Sequence, residues 1–182
     1  VTKNQTIKAA YFENSKAKSA TIEQPFFITK STGKKIELVH QPHENYGIGG
    51  SFTLVDGMKG NTSKFGRDWL GFWGKDMNAT IDLGKTETIS KISINTLSSE
   101  GSWIYYPKSI GILVSKDGEN YIPITIISSK EIDENKGKIV VEFDKQNVQF
   151  IKVIAEKNGI ISDGNPGAGS NSWLFVDEIS VE

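Results

Sequence analysis

Ala79-Thr80-Ile81-Asp82-Leu83-Gly84 and, beyond it, Ile89-Ser90-Lys91-Ile92-Ser93-Ile94-Asn95-Thr96-Leu97 decide the fold class. In both, apolar side chains alternate with polar ones, as on a half-buried pleated strand. The same short pattern, rich in Ile, Val, Thr and aromatic residues, recurs outward along the chain. It predicts strands at 6–12, 21–28, 35–39, 79–83, 89–97, 109–115, 121–127, 138–143, 150–155 and 173–181. Turn signals separate them: Thr32-Gly33, Asp56-Gly57, Leu83-Gly84-Lys85, Asp117-Gly118, Asn135-Lys136-Gly137 and Asn158-Gly159. No window of useful length carries a helical apolar stripe. The expected fold is therefore all-β, an antiparallel β-sandwich. The Gly-rich stretches 40–78 and 158–172 exceed plain hairpin loops, and loops of that length are usually functional or wrapped over the surface.

At 182 residues the chain suits one domain with a core of its own. Its net charge of −1 argues against a nucleic-acid footprint and against a polybasic membrane patch. No apolar run is long enough for a spanning helix, so no membrane insertion is expected. No charged and apolar leader pattern opens these residues. The absence of cysteine removes disulfides, thiolate zinc sites and cysteine nucleophiles.

Residues 1–30 differ from the rest. They read as two short strands without a core, and an isolated hairpin is marginal in water. Two readings stand: an extension docked on the sandwich, or the end of a preceding β domain or linker hairpin. The main module is then 31–182.

Four tryptophans, at 69, 73, 103 and 173, fall at strand ends or in loops. Phe65-Gly66-Arg67-Asp68-Trp69-Leu70-Gly71-Phe72-Trp73-Gly74 joins four aromatics to the only Arg among 21 basic residues. Trp103-Ile104-Tyr105-Tyr106-Pro107 is a second cluster. Such rings can cap a sandwich core. They can also cover the C–H face of a sugar while polar side chains bond its hydroxyl rim. Arg supplies a fixed fork of donors that Lys cannot copy. The expected ligand residues are Arg67, Trp73, Glu100, Trp103, Tyr105 and Asn165, with Trp103 or Trp73 as the platform and Trp69 and Trp173 in the core. Segments 67–73, 100–106 and 161–171 should meet at one end of the sandwich.

The order of several motifs resembles the discoidin, or F5/8 type C, domain. They are Leu54-Val55-Asp56-Gly57, the aromatic loop, Ala79-Thr80-Ile81-Asp82-Leu83-Gly84, Ile112-Leu113-Val114-Ser115-Lys116-Asp117-Gly118 with Tyr121, Phe150-Ile151-Lys152-Val153-Ile154-Ala155, and Trp173-Leu174-Phe175-Val176-Asp177-Glu178-Ile179. The likeness spans about residues 35–182. Bacterial domains of this kind are often carbohydrate-binding modules of family 32. With Gly71-Phe72-Trp73-Gly74-Lys75-Asp76 and Asn165-Pro166-Gly167-Ala168-Gly169, the variant is similar to the C-terminal module of chitobiase-type β-N-acetylhexosaminidases of gut Bacteroidetes. The resemblance implies a jelly roll, a structural calcium and sugar binding at one end. It makes Asp56 and Glu178 side-chain ligands, with carbonyls of Thr53, Met58, Asn61 and Asp177 completing the shell. Asn61 stands where many relatives carry Ser or Thr. A turning loop with two carboxylates suits a hard cation that takes six to eight oxygens.

No catalytic signature is present. His40 and His43, in His40-Gln41-Pro42-His43, lack a metalloprotease helix and read as solvated loop residues. Gly47–Gly50 lacks the ending of a phosphate-binding loop, no Ser occupies a nucleophile elbow, and Asp163 reads as a turn former. The expected function is a non-catalytic, monomeric module of a larger secreted, periplasmic or cell-surface glycoside hydrolase. Its partners would be a glycan and the catalytic domain of the same polypeptide, its cofactor calcium. The alternatives are a structural spacer packed on that catalytic domain and, more weakly, an adhesion or lipid-binding module.

Overall fold

The structure, a computed structural model, describes residues 2–62 and 65–182, the side chains of Phe65 and Arg67 apart. Its organising pair is β7 (Met77–Leu97) against β10 (Lys138–Glu156), antiparallel along nearly their whole length. The 21 residues of β7 would extend roughly 70 Å if straight. A compact domain of this size is about 40 Å across, so the pair must bend. It bends at 83–88, where the alternation of buried and exposed residues lapses and Gly84 adopts φ +81°. Opposite, the register of β10 slips between Glu142 and Gln146 and again between Val148 and Phe150. The Leu83-Gly84-Lys85 signal thus marks a bend within one strand. Likewise 138–143 and 150–155 are parts of one strand.

The bend lets one strand pair serve two layers. The early half of β7 pairs with β5 (Lys35–Leu38) and with residues 150–155 of β10; β8 (Ser109–Ser115) and β9 (Ile122–Ser128) extend that layer. The late half pairs with residues 138–142 of β10 and with β11 (Trp173–Val181), and β6 (Leu70–Trp73) lines the edge beyond β11. All described pairings between these strands are antiparallel. Between the layers lies one apolar core: Ala79, Ile81, Leu83, Ile110, Ile112, Val114, Ile151 and Val153 from one side, Leu70, Phe72, Ile92, Ile94, Leu174, Val176, Ile179 and Val181 from the other. Burying each of the Val, Leu, Ile and Phe side chains among them contributes roughly 1.5–3 kcal/mol. This is the expected antiparallel sandwich.

Helical structure among the described residues is short. α1 (Phe65–Asp68) precedes β6, and α2 (Ser129–Glu134) follows β9. Six residues are too few to show a stripe, but a capping box marks the start of α2: Glu131 N–H donates to Ser128 Oγ while the Glu131 carboxylate takes Ser128 N–H. Ile132 anchors α2 in the core.

At the N-terminus β1 (Gln5–Ala9) pairs with β4 (Ile22–Phe26). Between them β2 (Phe12–Glu13) and β3 (Lys16–Ala17) form a tight hairpin whose turn residues Asn14 and Ser15 have positive φ. Every residue of β1, β2 and β3 is exposed. The chain joins the sandwich at 27–31. There Phe27 N–H donates to the Gly57 carbonyl and Lys30 N–H to that of Val181. Ser31 is fully buried; its hydroxyl donates to the Ile179 carbonyl and accepts from Val181 N–H.

Candidate functional site

Strand pairing assembles the aromatic end. In the β6–β11 register Trp73 lies directly opposite Trp173, and Gly71 opposite Phe175. The first pair places two indoles side by side, with centroids 4.7 Å apart. At the second, a Cβ on Gly71 would come within 2.9 Å of the Phe175 ring and 2.8 Å of Tyr46, so only glycine leaves both rings in place.

Trp103 arrives from the next loop. Its carbonyl accepts Trp173 N–H at 2.8 Å, and Tyr105 N–H donates to the Trp173 carbonyl at 3.2 Å. It closes the short helical turn Glu100–Ser102 in the left-handed region, φ +62°. A bulky side chain pays steric strain there, and such strain persists where surrounding structure enforces it. Its ring stacks at 6.4 Å from that of Trp73. Gly167 lies against one face of the Trp103 ring, where a Cβ would fall 2.7 Å away. Tyr105 Oη donates to the Pro166 carbonyl at 2.9 Å, tying the 159–172 loop to the same end. Trp103 is the most exposed of the tryptophans at 40 %; Trp73 and Trp173 are half-buried and Trp69 is buried.

The expected ligand residues therefore distribute as follows. Trp73, Trp103 and Tyr105 share one end of the sandwich. Glu100 is exposed three residues before Trp103, and Asn165 is exposed on the neighbouring loop, its amide donating to the Ser162 carbonyl. The backbone of Arg67 lies in α1; its side chain is outside the described residues. Asp163 is exposed in the turn at 162–165.

His43 was not legible as part of this group. It is no solvated loop residue: its ring sits edge-on to Trp173 at 5.1 Å, and its backbone N–H donates to the Gly71 carbonyl. Tyr46, three residues on, packs against both Trp173 and Phe175. The signal available was only that Pro42-His43 opens a long loop.

The proposed metal ligands converge elsewhere, where the helical turn Gly50–Val55 meets β11. β11 carries a register irregularity between Val176 and Ile179, and both Asp177 and Glu178 are buried. Asp177 is consumed by protein donors, Gly60 N–H at 2.6 Å and the Asn95 amide at 3.0 Å. Glu178 accepts Gly57 N–H through Oε2, while its buried Oε1 has no partner among the described residues. Asp56 Oδ1 accepts Met58 N–H at 2.8 Å. Thr53 is buried in the turn, Met58 half-buried and Asn61 exposed, with its carbonyl accepting the Trp69 indole N–H.

Burial raises all three carboxylates. Glu178 is pushed up to about 9 by desolvation, against the Gly57 hydrogen bond, with the charges of Asp56 and Asp177 adding to the rise. Asp177 is pushed up to about 7 and Asp56 to about 6, again chiefly by desolvation. An unpartnered carboxylate oxygen among like charges fits a hard cation. Among the described residues no three acidic, His or Cys side chains form a metal cage by themselves. A cation here would rest on Asp56, Glu178 and backbone carbonyls.

The model of the F5/8 type C domain matches residues 36–176. The chain belongs to the F5/8 type C domain family. No curated protein matches it. Among solved structures, this F5/8 type C domain is similar to a chitosan-binding module of a chitosanase/glucanase from Paenibacillus sp. IK-5: 14% identity, TM-score 0.56, over 85% of this chain and 98% of that one. It is likewise similar to a fucose-binding module of Streptococcus pneumoniae, with 15% identity, TM-score 0.58, and 86% and 98% coverage. The lectin domain of lectinolysin, complexed with Lewis B antigen, gives 15% identity, TM-score 0.56, and 85% and 96% coverage. At these identities the likeness establishes the fold.

Proposed function

We propose that this F5/8 type C domain is a non-catalytic carbohydrate-binding module. It belongs to a larger secreted, periplasmic or cell-surface glycoside hydrolase of the chitobiase or β-N-acetylhexosaminidase type. The module holds its enzyme near hexosamine- or galactose-type glycans. The observation that carries this reading is the row His43–Trp173–Trp73–Trp103, set at the end of the sandwich where three long loops meet. Trp103 offers apolar surface, and Glu100 and Asn165 stand ready for a hydroxyl rim. The sugar-binding modules among the structural neighbours support it. A single shallow site binds with Kd of order 0.1–1 mM, about −5 kcal/mol. Tethering turns that weak affinity into a raised local enzyme concentration.

Calcium fits the cradle at Asp56 and Glu178, with carbonyls of Thr53, Met58, Asn61 and Asp177 as further oxygens. When bound it supplies charge neutralisation. The residues' own part is to turn the 50–61 segment against β11, through Gly57 N–H on Glu178 and Gly60 N–H on Asp177. Residues 1–30 are read as the end of a preceding β domain or linker hairpin, and the module as a monomer joined to its catalytic domain.

A second reading, the structural spacer, draws on the mutual packing of Trp73 and Trp173, which leaves both half-buried. A glycan array probed with the protein and with Trp103→Ala separates the two. Binding to terminal hexosamine or galactose that Trp103→Ala loses supports the module. No binding to any glycan supports the spacer.

A further inference from the structure

The phenol of Tyr105 is already committed within the protein, its Oη donating to the Pro166 carbonyl at 2.9 Å. A phenol has one proton to donate, so none is left for a sugar hydroxyl. The partner belongs to a loop that is closed on itself. Ser172 N–H donates to the Gly159 carbonyl, Ile161 N–H to that of Ser170, and Gly169 N–H to that of Ile161. Ile160 and Asn171 form a bridge at its neck, and buried Ile161 anchors it. The loop is thus one stiff piece. Among the described residues, the bond from Tyr105 to Pro166 is the one hydrogen bond between this loop and the segment 99–106.

What the loop bears on is the Trp103 ring. Gly167, the residue after Pro166, sits over the five-membered part of the indole: a Cβ there would lie 2.7 Å from Cγ and Cδ1 and 2.8 Å from Cδ2. The backbone of Trp103 is held separately. Its N–H donates to the Glu100 carbonyl and its carbonyl accepts Trp173 N–H, both at 2.8 Å. Those bonds fix the main chain at φ +62°, but they leave the ring its choice of side-chain rotamers. The ring rests on Trp73 at 6.4 Å and on Gly167. A side chain at 167 would push it away, and φ +84° at that position also favours glycine.

We infer that Tyr105 is a positioning residue for the sugar platform: through Pro166 it holds Gly167 against one face of Trp103 and so fixes the ring in the orientation a sugar meets, while its own hydroxyl does not touch the sugar. The inference rests on the glycan-binding reading and names a device that prepares that same site. A net protein hydrogen bond shifts the balance between two arrangements by about two- to tenfold. Apparent affinity falls with the fraction of molecules in the competent one.

The test compares the whole chain with Tyr105→Phe, which keeps the half-buried ring and loses only the proton donor. Indole N–H signals are recorded by NMR without sugar, then during titration with N-acetylglucosamine, N-acetylgalactosamine and galactose. Before any sugar is added, Tyr105→Phe is expected to shift and broaden the Trp103 signal and to leave that of Trp69 in place. Affinity for the sugar that wild type binds then falls about two- to tenfold, with Tm nearly unchanged. Gly167→Ala displaces the same Trp103 signal from the other side of the latch, and adding Tyr105→Phe to it brings no further loss of affinity. A Trp103 signal that Tyr105→Phe leaves unmoved overturns the positioning role, even where affinity falls, since the phenol would then act on the sugar directly. A moved signal with wild-type affinity overturns it as well. Wild type that binds none of the three sugars overturns the glycan reading itself, and the positioning role falls with it.

Discussion

Replacing Glu178 with Gln tests the cation cradle at its most sensitive point. Glu178 is 2 % exposed and keeps one carboxylate oxygen without a described partner. Gln preserves size and can still accept Gly57 N–H, so packing is nearly unchanged. What changes is the capacity for charge. With a cation absent, Glu178 lies beside Asp56 and Asp177 with its pKa pushed up to about 9, so at neutral pH it takes up a proton that the unfolded chain would not hold, and the amide removes that cost. With calcium present, the wild type gains by mass action: at a hundred times Kd the gain is about 2.7 kcal/mol. In a domain of this size that raises Tm by roughly 5–10 °C. Glu178→Gln loses that gain, yet in chelator it melts no lower than wild type. The assay is thermal unfolding of both proteins, each in chelator and in excess calcium, with metal analysis of the purified protein. If chelator and calcium leave wild-type Tm unmoved and the protein holds no metal, the cradle is not a calcium site. An equal calcium gain in Glu178→Gln refutes the role of this carboxylate.

Further outcomes follow from the same geometry. Gly71→Val forces side-chain atoms against Phe175 and Tyr46 and lowers stability by about 1–3 kcal/mol, read by denaturant unfolding. Ser128→Ala removes the cap of α2 and costs about 1 kcal/mol, visible as a drop of a few degrees in Tm. A chain shortened to begin at Phe27 retains the Phe27, Lys30 and Ser31 hydrogen bonds and unfolds in one cooperative transition; a broad, noncooperative melt would show that β1–β4 belongs to the sandwich.

The strands were legible because their alternation is direct: Ala79, Ile81 and Leu83 are buried and Thr80 and Asp82 are not. The continuity of β7 was hidden, since Leu83-Gly84-Lys85 carries the chemistry of a turn and only the layered core shows it to be a bend. β6 was missed because Leu70-Gly71-Phe72 is buried on both faces and shows no alternation. α2 announced itself only through Ser128 and Glu131. At the site, the meeting of 67–73, 100–106 and 161–171 could be argued from strand connections. The position of His43 could not, because its partner Trp173 is distant in sequence and becomes its neighbour only through the β6–β11 pairing. Likewise the family resemblance offers only a backbone role for Asp177, and the anchoring of Gly60 and Asn95 by its side chain shows only in the fold.

The most direct test of the central claim is a heteronuclear NMR titration that follows the indole N–H signals of the four tryptophans. The ligands are N-acetylglucosamine, N-acetylgalactosamine and galactose at rising concentration. Binding at the aromatic end moves the signals of Trp103 and Trp73 with backbone signals of Glu100, Tyr105 and Asn165, leaves buried Trp69 in place, and vanishes in Trp103→Ala. Burial of an exposed indole supplies about 1–2 kcal/mol of a total near −5 kcal/mol, so its loss takes a weak complex beyond detection. Shifts confined to the sheet faces, or no shift at tens of millimolar sugar, would contradict the account.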